Sequence, residues 1–390
     1  MPKKLWYIVI GMAIIVTGSS FLWPLNAIYL HDHLGKSLTV AGMVLTANAF
    51  ATVIGNLTGG FLFDKLGGYL AILTGAIISL FSLVGLAINH EWPFYVVWLI
   101  LMGFGSGLVF PAMFAMAGSV WKEGGRKAFN AVYIAQNLGV AIGSSLGGFI
   151  ASYSFDYIFI ANAFMFSLFF LLVIFTYKNI QVEAVVTKHV LEEQAIPNNR
   201  RTIYALLILC SGYLLCWIGY VQWTATISTY TQELGISLTQ YSLLWTINGA
   251  LIVLGQPILN KFIYSFMSKV KIQLILGMVI FMGSFAIAAF ASNFAGFLTA
   301  MLVLTIGEML VWPAVPTIAS ELAPKGKEGF YQGIVNSIAT TGRMIGPLLG
   351  GFLVDQFGMS MMFIVLMALF VVAMGTTMIY DKILPEKQVA

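Results

Sequence analysis

Cut at its polar breaks, the chain falls into twelve apolar runs, near residues 5–30, 38–62, 69–89, 93–120, 128–152, 155–177, 202–231, 238–260, 272–292, 294–320, 331–354 and 359–380. A helix needs about 20 apolar residues to cross ~30 Å of hydrocarbon, so each run is long enough to span a bilayer once. In that solvent the backbone must satisfy its own hydrogen bonds, which leaves helices or closed barrels. Barrel strands read as short alternating segments, whereas these runs are long and continuous. The expected fold class is therefore all-α, a membrane protein of twelve transmembrane helices. Composition agrees: 59% of the 390 residues are hydrophobic and 9% are charged, too apolar for a water-soluble domain.

The loop charges give an orientation. With twelve spans, every Lys and Arg except Lys36 and Arg343 falls on one side, while Asp32, Glu91, Asp156, Glu233 and Asp355 fall on the other. The positive-inside rule makes the basic side cytoplasmic and puts both termini there, in a multi-pass protein of the cell membrane. The basic loops then need no nucleic-acid partner. The N-terminal apolar run is too long for a cleaved signal and is expected to stay as the first helix. Cys210 and Cys216 lie in one apolar helix, where packing is the expected role.

The chain also repeats itself. Leu34–Thr39, "LGKSLT", returns as Leu234–Thr239, "LGISLT", and the same offset pairs Trp23 with Trp223, Thr46 with Thr246, Asn48 with Asn248 and Gly55 with Gly255. Farther along, Val109–Ala112 pairs with Val311–Ala314, and Asn137–Phe149 with Thr340–Phe352. One long polar stretch, Tyr177–Arg201, divides six runs from six. The expected organisation is an N-terminal six-helix bundle over 1–177, a cytoplasmic linker over 178–201 and a C-terminal six-helix bundle over 202–390, the bundles being parallel repeats.

Two like-oriented six-helix bundles joined by a cytoplasmic linker resemble the major facilitator superfamily. That resemblance implies pseudo-symmetric bundles with a central cavity, opened to one side at a time as the bundles rock. "GGFLFDKLGG", Gly59–Gly68, is similar to the family's signature between helices 2 and 3. It implies that Asp64, with Gly60, Lys65 and Gly67, helps close a cytoplasmic gate through helix ends and a nearby positive charge. Gly68 and Tyr69 stand where the family's basic residues usually follow. The plainer reading is a glycine-rich turn with a solvated Asp-Lys pair.

On the fifth and eleventh helices, Gly139, Gly143 and Gly147, and Gly346 with Gly350, lie four apart and make smooth faces expected to pack bundle against bundle. Drug-exporting branches carry a similar pattern in the fifth helix with a proline after the second glycine. Here Ser144 holds that place and the proline, Pro347, is in the eleventh helix. "YIAQNLG", Tyr133–Gly139, and "LTIGEMLVWPAV", Leu304–Val315, also resemble helices of proton-driven multidrug exporters. Two of that branch's charged positions are apolar here, at Leu99 and Val132.

Glu308 and Arg343 are the ionisable residues deep within the runs, about 20 Å and 18 Å from the basic ends of their helices at ~1.5 Å per residue. A charge at that depth costs several kcal/mol unless paired or hydrated. Two readings follow: Glu308 takes up and releases a proton while Arg343 tunes it, or the two form a permanent ion pair that fixes helix register. Around them an aromatic, amide-poor cavity is expected from Trp23, Asn26, Phe110, Met113, Tyr133, Gln136, Asn137, Trp223, Asn248 and Trp312. Such a lining suits bulky, amphipathic or weakly cationic molecules.

The function expected is secondary active transport, a proton-coupled antiporter exporting small amphipathic or lipophilic compounds by alternating access, as in multidrug efflux. Alternatives are a specific carrier for a sugar, amino acid, metabolite or lipid, and a transport-dead sensor or scaffold. Expected partners are a small-molecule substrate, protons and membrane lipids, with the chain a monomer. The proton gradient replaces any cofactor. "GSSLG", Gly143–Gly147, has the spacing of a serine-hydrolase elbow but sits inside a helix, so no enzyme is expected. His31, Asp32 and His33 lie in a short loop with no further ligands, so no metal is expected.

Overall fold

The structure is a computed structural model, described over residues 1–22, 26, 29–36, 38–151, 153–180, 199–266 and 269–384. Trp23 and most of the 178–201 stretch lie outside the described residues. The first half contains α1 (Lys3–Leu22), α2 (Leu38–Leu66), α3 (Gly68–Ile88), α4 (Phe94–Val120), α5 (Arg126–Ala151) and α6 (Phe155–Thr176). The second contains α7 (Asn199–Tyr220), α8 (Leu238–Phe266), α9 (Val270–Phe290) and α10 (Phe294–Val311, resumed as Ala314–Leu322). It ends with Glu328–Ile379, which Gly358, at φ 79° and ψ 168°, breaks into α11 (328–357) and α12 (359–379).

Among the described residues, ten helical stretches are long and apolar enough to cross a membrane. One of the ten, Glu328–Ile383, holds both α11 and α12. α5, which carries Arg126, Lys127, Asn130, Gln136 and Asn137, is not among them. Counted among the described residues, the long helices number twelve. The run near 202–231 is not one helix: α7 stops at Tyr220, and a turn over Val221–Trp223 leads into the short helix Thr226–Glu233.

Gly358 has a counterpart in Gly67, at φ 84° and ψ 162°, between α2 and α3. Both glycines end the same local pattern, "GGFLFDKLG" in Gly59–Gly67 and "GGFLVDQFG" in Gly350–Gly358. A left-handed residue with no Cβ penalty lets one helix stop and the next begin without a loop. One short sequence thus makes the same corner twice.

By internal contacts the chain forms two compact units. The first holds α1 to α6 together with 323–337, and the second holds α7 to α10 with the rest of α11 and α12. Close backbone approach organises each. In the first unit the glycine face of α5 lies on α1: a Cβ on Gly139 would sit 2.9 Å from the Ala13 carbonyl oxygen, and one on Gly147 would sit 2.8 Å from Phe21 Cα. In the second unit the matching face of α11 lies on α7 and the turn after it. A Cβ on Gly346 would sit 3.2 Å from the Ile218 carbonyl oxygen, and one on Gly350 would overlap the Gln222 amide. The stripes expected to join bundle to bundle therefore pack within each unit. Spacing reveals a smooth face but not the helix that meets it.

Because these contacts recur in both units at the sequence offset, the internal repeat is also a repeat of interfaces. A substitution tests it. Gly143→Ala drives a Cβ into the Thr17 carbonyl oxygen, whereas Gly283 has open space around its Cα. In thermal unfolding of the detergent-solubilised protein, Gly143→Ala is expected to cost about 1–3 kcal/mol and Gly283→Ala almost nothing.

Candidate functional site

In the second unit α8 meets α10 around Glu308, a side chain only 1% exposed. The Asn248 amide reaches it from α8, Nδ2 donating to Oε1 at 2.7 Å and also to the Thr305 hydroxyl at 2.9 Å. Thr305 in turn donates to the Met301 carbonyl oxygen at 2.7 Å, so its oxygen is turned towards Asn248. From the end of α7 the Tyr220 hydroxyl donates to Oε2 at 3.1 Å. Donors thus reach both oxygens, and donors to a carboxylate offset the cost of burying its charge.

The first unit shows what this polar site replaces. There the equivalent helices, α2 and α4, bring Asn48 against Gly103, and Gly55 against Gly107. By the repeat offset Asn48 corresponds to Asn248, Gly103 to Thr305 and Ser106 to Glu308. One helix–helix contact is thus uncharged and close in the first unit and carries an acid in the second.

An aromatic cluster adjoins Glu308 through Tyr220. The Trp217 and Trp312 rings stack at 4.3 Å with 15° between their planes. Tyr220 meets Trp312 edge-on at 5.2 Å, Trp217 at 5.5 Å and Trp245 at 6.2 Å, with Tyr213 and Phe281 packed on Trp312 from behind. Arg343, on α11, places its guanidinium over Trp217, 4.6 Å from the ring centre, and donates to the Thr340 hydroxyl at 3.2 Å. Between the two charges therefore stand Trp217 and Tyr220. Glu308 is buried, Trp217, Tyr220 and Trp245 are half-buried, and Arg343 is exposed.

Of the residues expected in a cavity, Asn248 and Trp312 join Glu308 here. Trp223 does not: it is fully buried, with its ring on Phe285 and its carbonyl accepting from Tyr241. In the first unit Asn26 accepts a hydrogen bond from the Tyr95 hydroxyl at 2.7 Å and is buried beside a cluster of Tyr29, Tyr95 and Phe159. Met113 is fully buried and Tyr133 nearly so, whereas Phe110, Gln136 and Asn137 are half-buried. Asn137 donates to the Tyr133 carbonyl oxygen at 2.9 Å, back along its own helix. Tyr213, Trp217 and Tyr220 went unnoticed in the sequence although they are spaced four and three apart on one face of α7. That spacing was the available signal.

A second polar site lies in the first unit. Asp64, near the end of α2, accepts from the backbone N–H groups of Gly329 at 2.7 Å and Phe330 at 2.8 Å, at the start of α11. Helix N-termini present unsatisfied donors and positive potential, so the carboxylate acts as a cap supplied by another helix. Gly60 permits it: a Cβ there would sit 2.7 Å from the Gly329 carbonyl carbon. Lys65 is exposed, with its ammonium 4.5 Å from the centre of the Phe61 ring. Gly67 makes the corner into α3 described above.

Long apolar helices in two units, one of which buries an acid between its helices, define a polytopic membrane protein. The Major Facilitator Superfamily model matches residues 8–229 and 208–388, and the chain belongs to that family of membrane transporters. It is 57% identical over 382 residues to the uncharacterized MFS-type transporter YttB of Bacillus subtilis (strain 168), covering 98% of this chain and 96% of that one. It is 24% identical over 361 residues to the quinolone resistance protein NorA of Staphylococcus aureus (strain MSSA476), covering 91% of each. In fold it is similar to the human organic anion transporter MFSD10, with a TM-score of 0.80 at 15% identity over 97% of this chain and 100% of that one. A POT family transporter solved with 5-aminolevulinic acid gives 0.74 at 15% identity, over 99% and 97%.

Proposed function

We propose that this transporter exports small amphipathic or lipophilic compounds in exchange for protons, by alternating access, with Glu308 as the proton-carrying group. The observation that carries this reading is the buried carboxylate of Glu308, held by Asn248 and Tyr220 behind an aromatic wall. Intramembrane acids are costly, and in transporters they mark proton and ion pathways. The distant similarity to NorA supports export of drug-like molecules. The charge pattern of the loops supports placing the Asp64 end of the helices at the cytoplasm.

The hydrogen bonds supply a coupling device. As an anion, Glu308 only accepts, and Tyr220 and Asn248 both donate to it. Once protonated on Oε2 and donating towards Tyr220, it turns the Tyr220 hydroxyl from donor to acceptor. Tyr220 is wedged among Trp217, Trp245 and Trp312, so a change at the acid is passed to the rings that a substrate would touch. One proton crossing ~100 mV supplies about 2.3 kcal/mol, enough for roughly a fiftyfold gradient of a neutral substrate.

Inverted membrane vesicles energised with a pH gradient and given a fluorescent amphiphile test the reading. Uptake that collapses with an uncoupler is expected, and uptake indifferent to the gradient contradicts it. Tyr220→Phe keeps the ring and removes the donor. It is expected to slow transport about tenfold with little change in the half-saturating substrate concentration, measured by initial rates in the same vesicles.

A further inference from the structure

Arg343 has no role in the coupling device above, yet it is the costliest side chain to keep in a membrane helix. An intramembrane Arg faces a water-filled region or a partner, because lipid exposure costs several kcal/mol. Here it is exposed and lies about 22 Å from the basic end of its helix, which starts at Glu328. The guanidinium lies over the Trp217 ring, 4.6 Å from its centre, and Trp217 is stacked in turn on Trp312. Of its five N–H donors, one hydrogen bond is used among the described residues, to the Thr340 hydroxyl. A guanidinium seated over an indole and largely unspent as a donor among the described residues can take a planar oxyanion through paired N–H bonds. The acid that could have filled this role, Glu308, has its oxygens bonded to Asn248 and Tyr220.

Building on the export reading, we propose that the substrates carry a carboxylate, which Arg343 binds while their aromatic or aliphatic body lies along Trp217, Tyr220 and Trp245. Selection on this surface is for amphiphilic acids, with the indole wall supplying affinity and the guanidinium supplying head-group specificity. Lysine cannot replace arginine here, because a compact ammonium has neither the flat face to stack on Trp217 nor the fork to hold two oxygens.

The test uses the full-length protein in detergent and three probes of one skeleton: a naphthalene carboxylate, its methyl ester and the corresponding aminomethyl naphthalene. Binding is read by quenching of tryptophan fluorescence. The wild type is expected to bind the acid roughly tenfold to a hundredfold more tightly than the ester or the amine. Arg343→Gln and Arg343→Lys are expected to lose that preference, binding acid and ester about equally, with a thermal unfolding transition like that of the wild type showing that they are folded. Equal binding of acid and ester by the wild type, or acid preference retained in Arg343→Gln, overturns the proposal. In vesicles the export reading fails separately, if none of the three probes is concentrated by a pH gradient. Acid and amine concentrated alike leaves export standing and removes the carboxylate specificity.

Discussion

Glu308→Gln is expected to abolish uphill transport while leaving the protein folded and able to bind substrate. Glutamine matches glutamate in size, its amide oxygen can still accept from Asn248 Nδ2, now 2.7 Å from Oε1, and its amide nitrogen can donate to the Tyr220 oxygen. The site is therefore satisfied without the charge, and the amide does not titrate. The energetic consequence is large. At ~100 mV the roughly fiftyfold gradient that one proton supports falls to no gradient, although downhill exchange remains. Cells carrying the variant should retain a fluorescent amphiphile as cells lacking the transporter do. Efflux from the variant at the wild-type rate contradicts the assignment of the proton to Glu308.

Asp64→Asn is expected to loosen the start of α11. The aspartate accepts from two backbone N–H groups at a helix N-terminus, a place that favours a carboxylate. Asparagine keeps one acceptor oxygen and turns an N–H2 towards the second donor, a cost of about 2 kcal/mol. That shifts the closed contact by roughly thirtyfold. Ser337 reports it, since it is buried and its hydroxyl donates to the Val53 carbonyl oxygen on α2 at 3.3 Å. The native cysteines Cys210 and Cys216 are buried, so labelling of Ser337→Cys by a water-soluble maleimide reads the opening of this contact. Labelling is expected to accelerate by that factor with Asp64→Asn and to change little with Lys65→Ala, whose side chain lies over Phe61. An unchanged rate in Asp64→Asn contradicts the capping role.

The all-α membrane architecture was legible because hydrocarbon leaves a chain few choices, and long apolar runs announce that choice directly. Glu308 was equally plain, since a lone acid in such a run has no cheap explanation. What escaped were relations that depend on which faces meet. Gly143 and Gly346 advertised smooth surfaces, but the surfaces belong to α1 and α7 rather than to a partner bundle. Tyr213, Trp217 and Tyr220 were hidden because aromatic residues are unremarkable in a lipid-facing segment, and only the fold shows that theirs turns towards Glu308. Arg343 was expected to answer to Glu308 directly, and in the structure it addresses Trp217. The corner at Gly358 could have been found by noticing that "GGFL" followed by Asp and a later glycine occurs twice.

The central claim is that one proton, carried by one carboxylate, drives the exchange. The most direct measurement follows proton flux with a trapped pH dye in proteoliposomes while a substrate such as the naphthalene carboxylate is added down its own gradient. Wild-type protein should move protons opposite to the substrate, and Glu308→Gln should carry the substrate with no proton movement above that of empty liposomes. Substrate-driven proton flux that persists in Glu308→Gln would contradict the account.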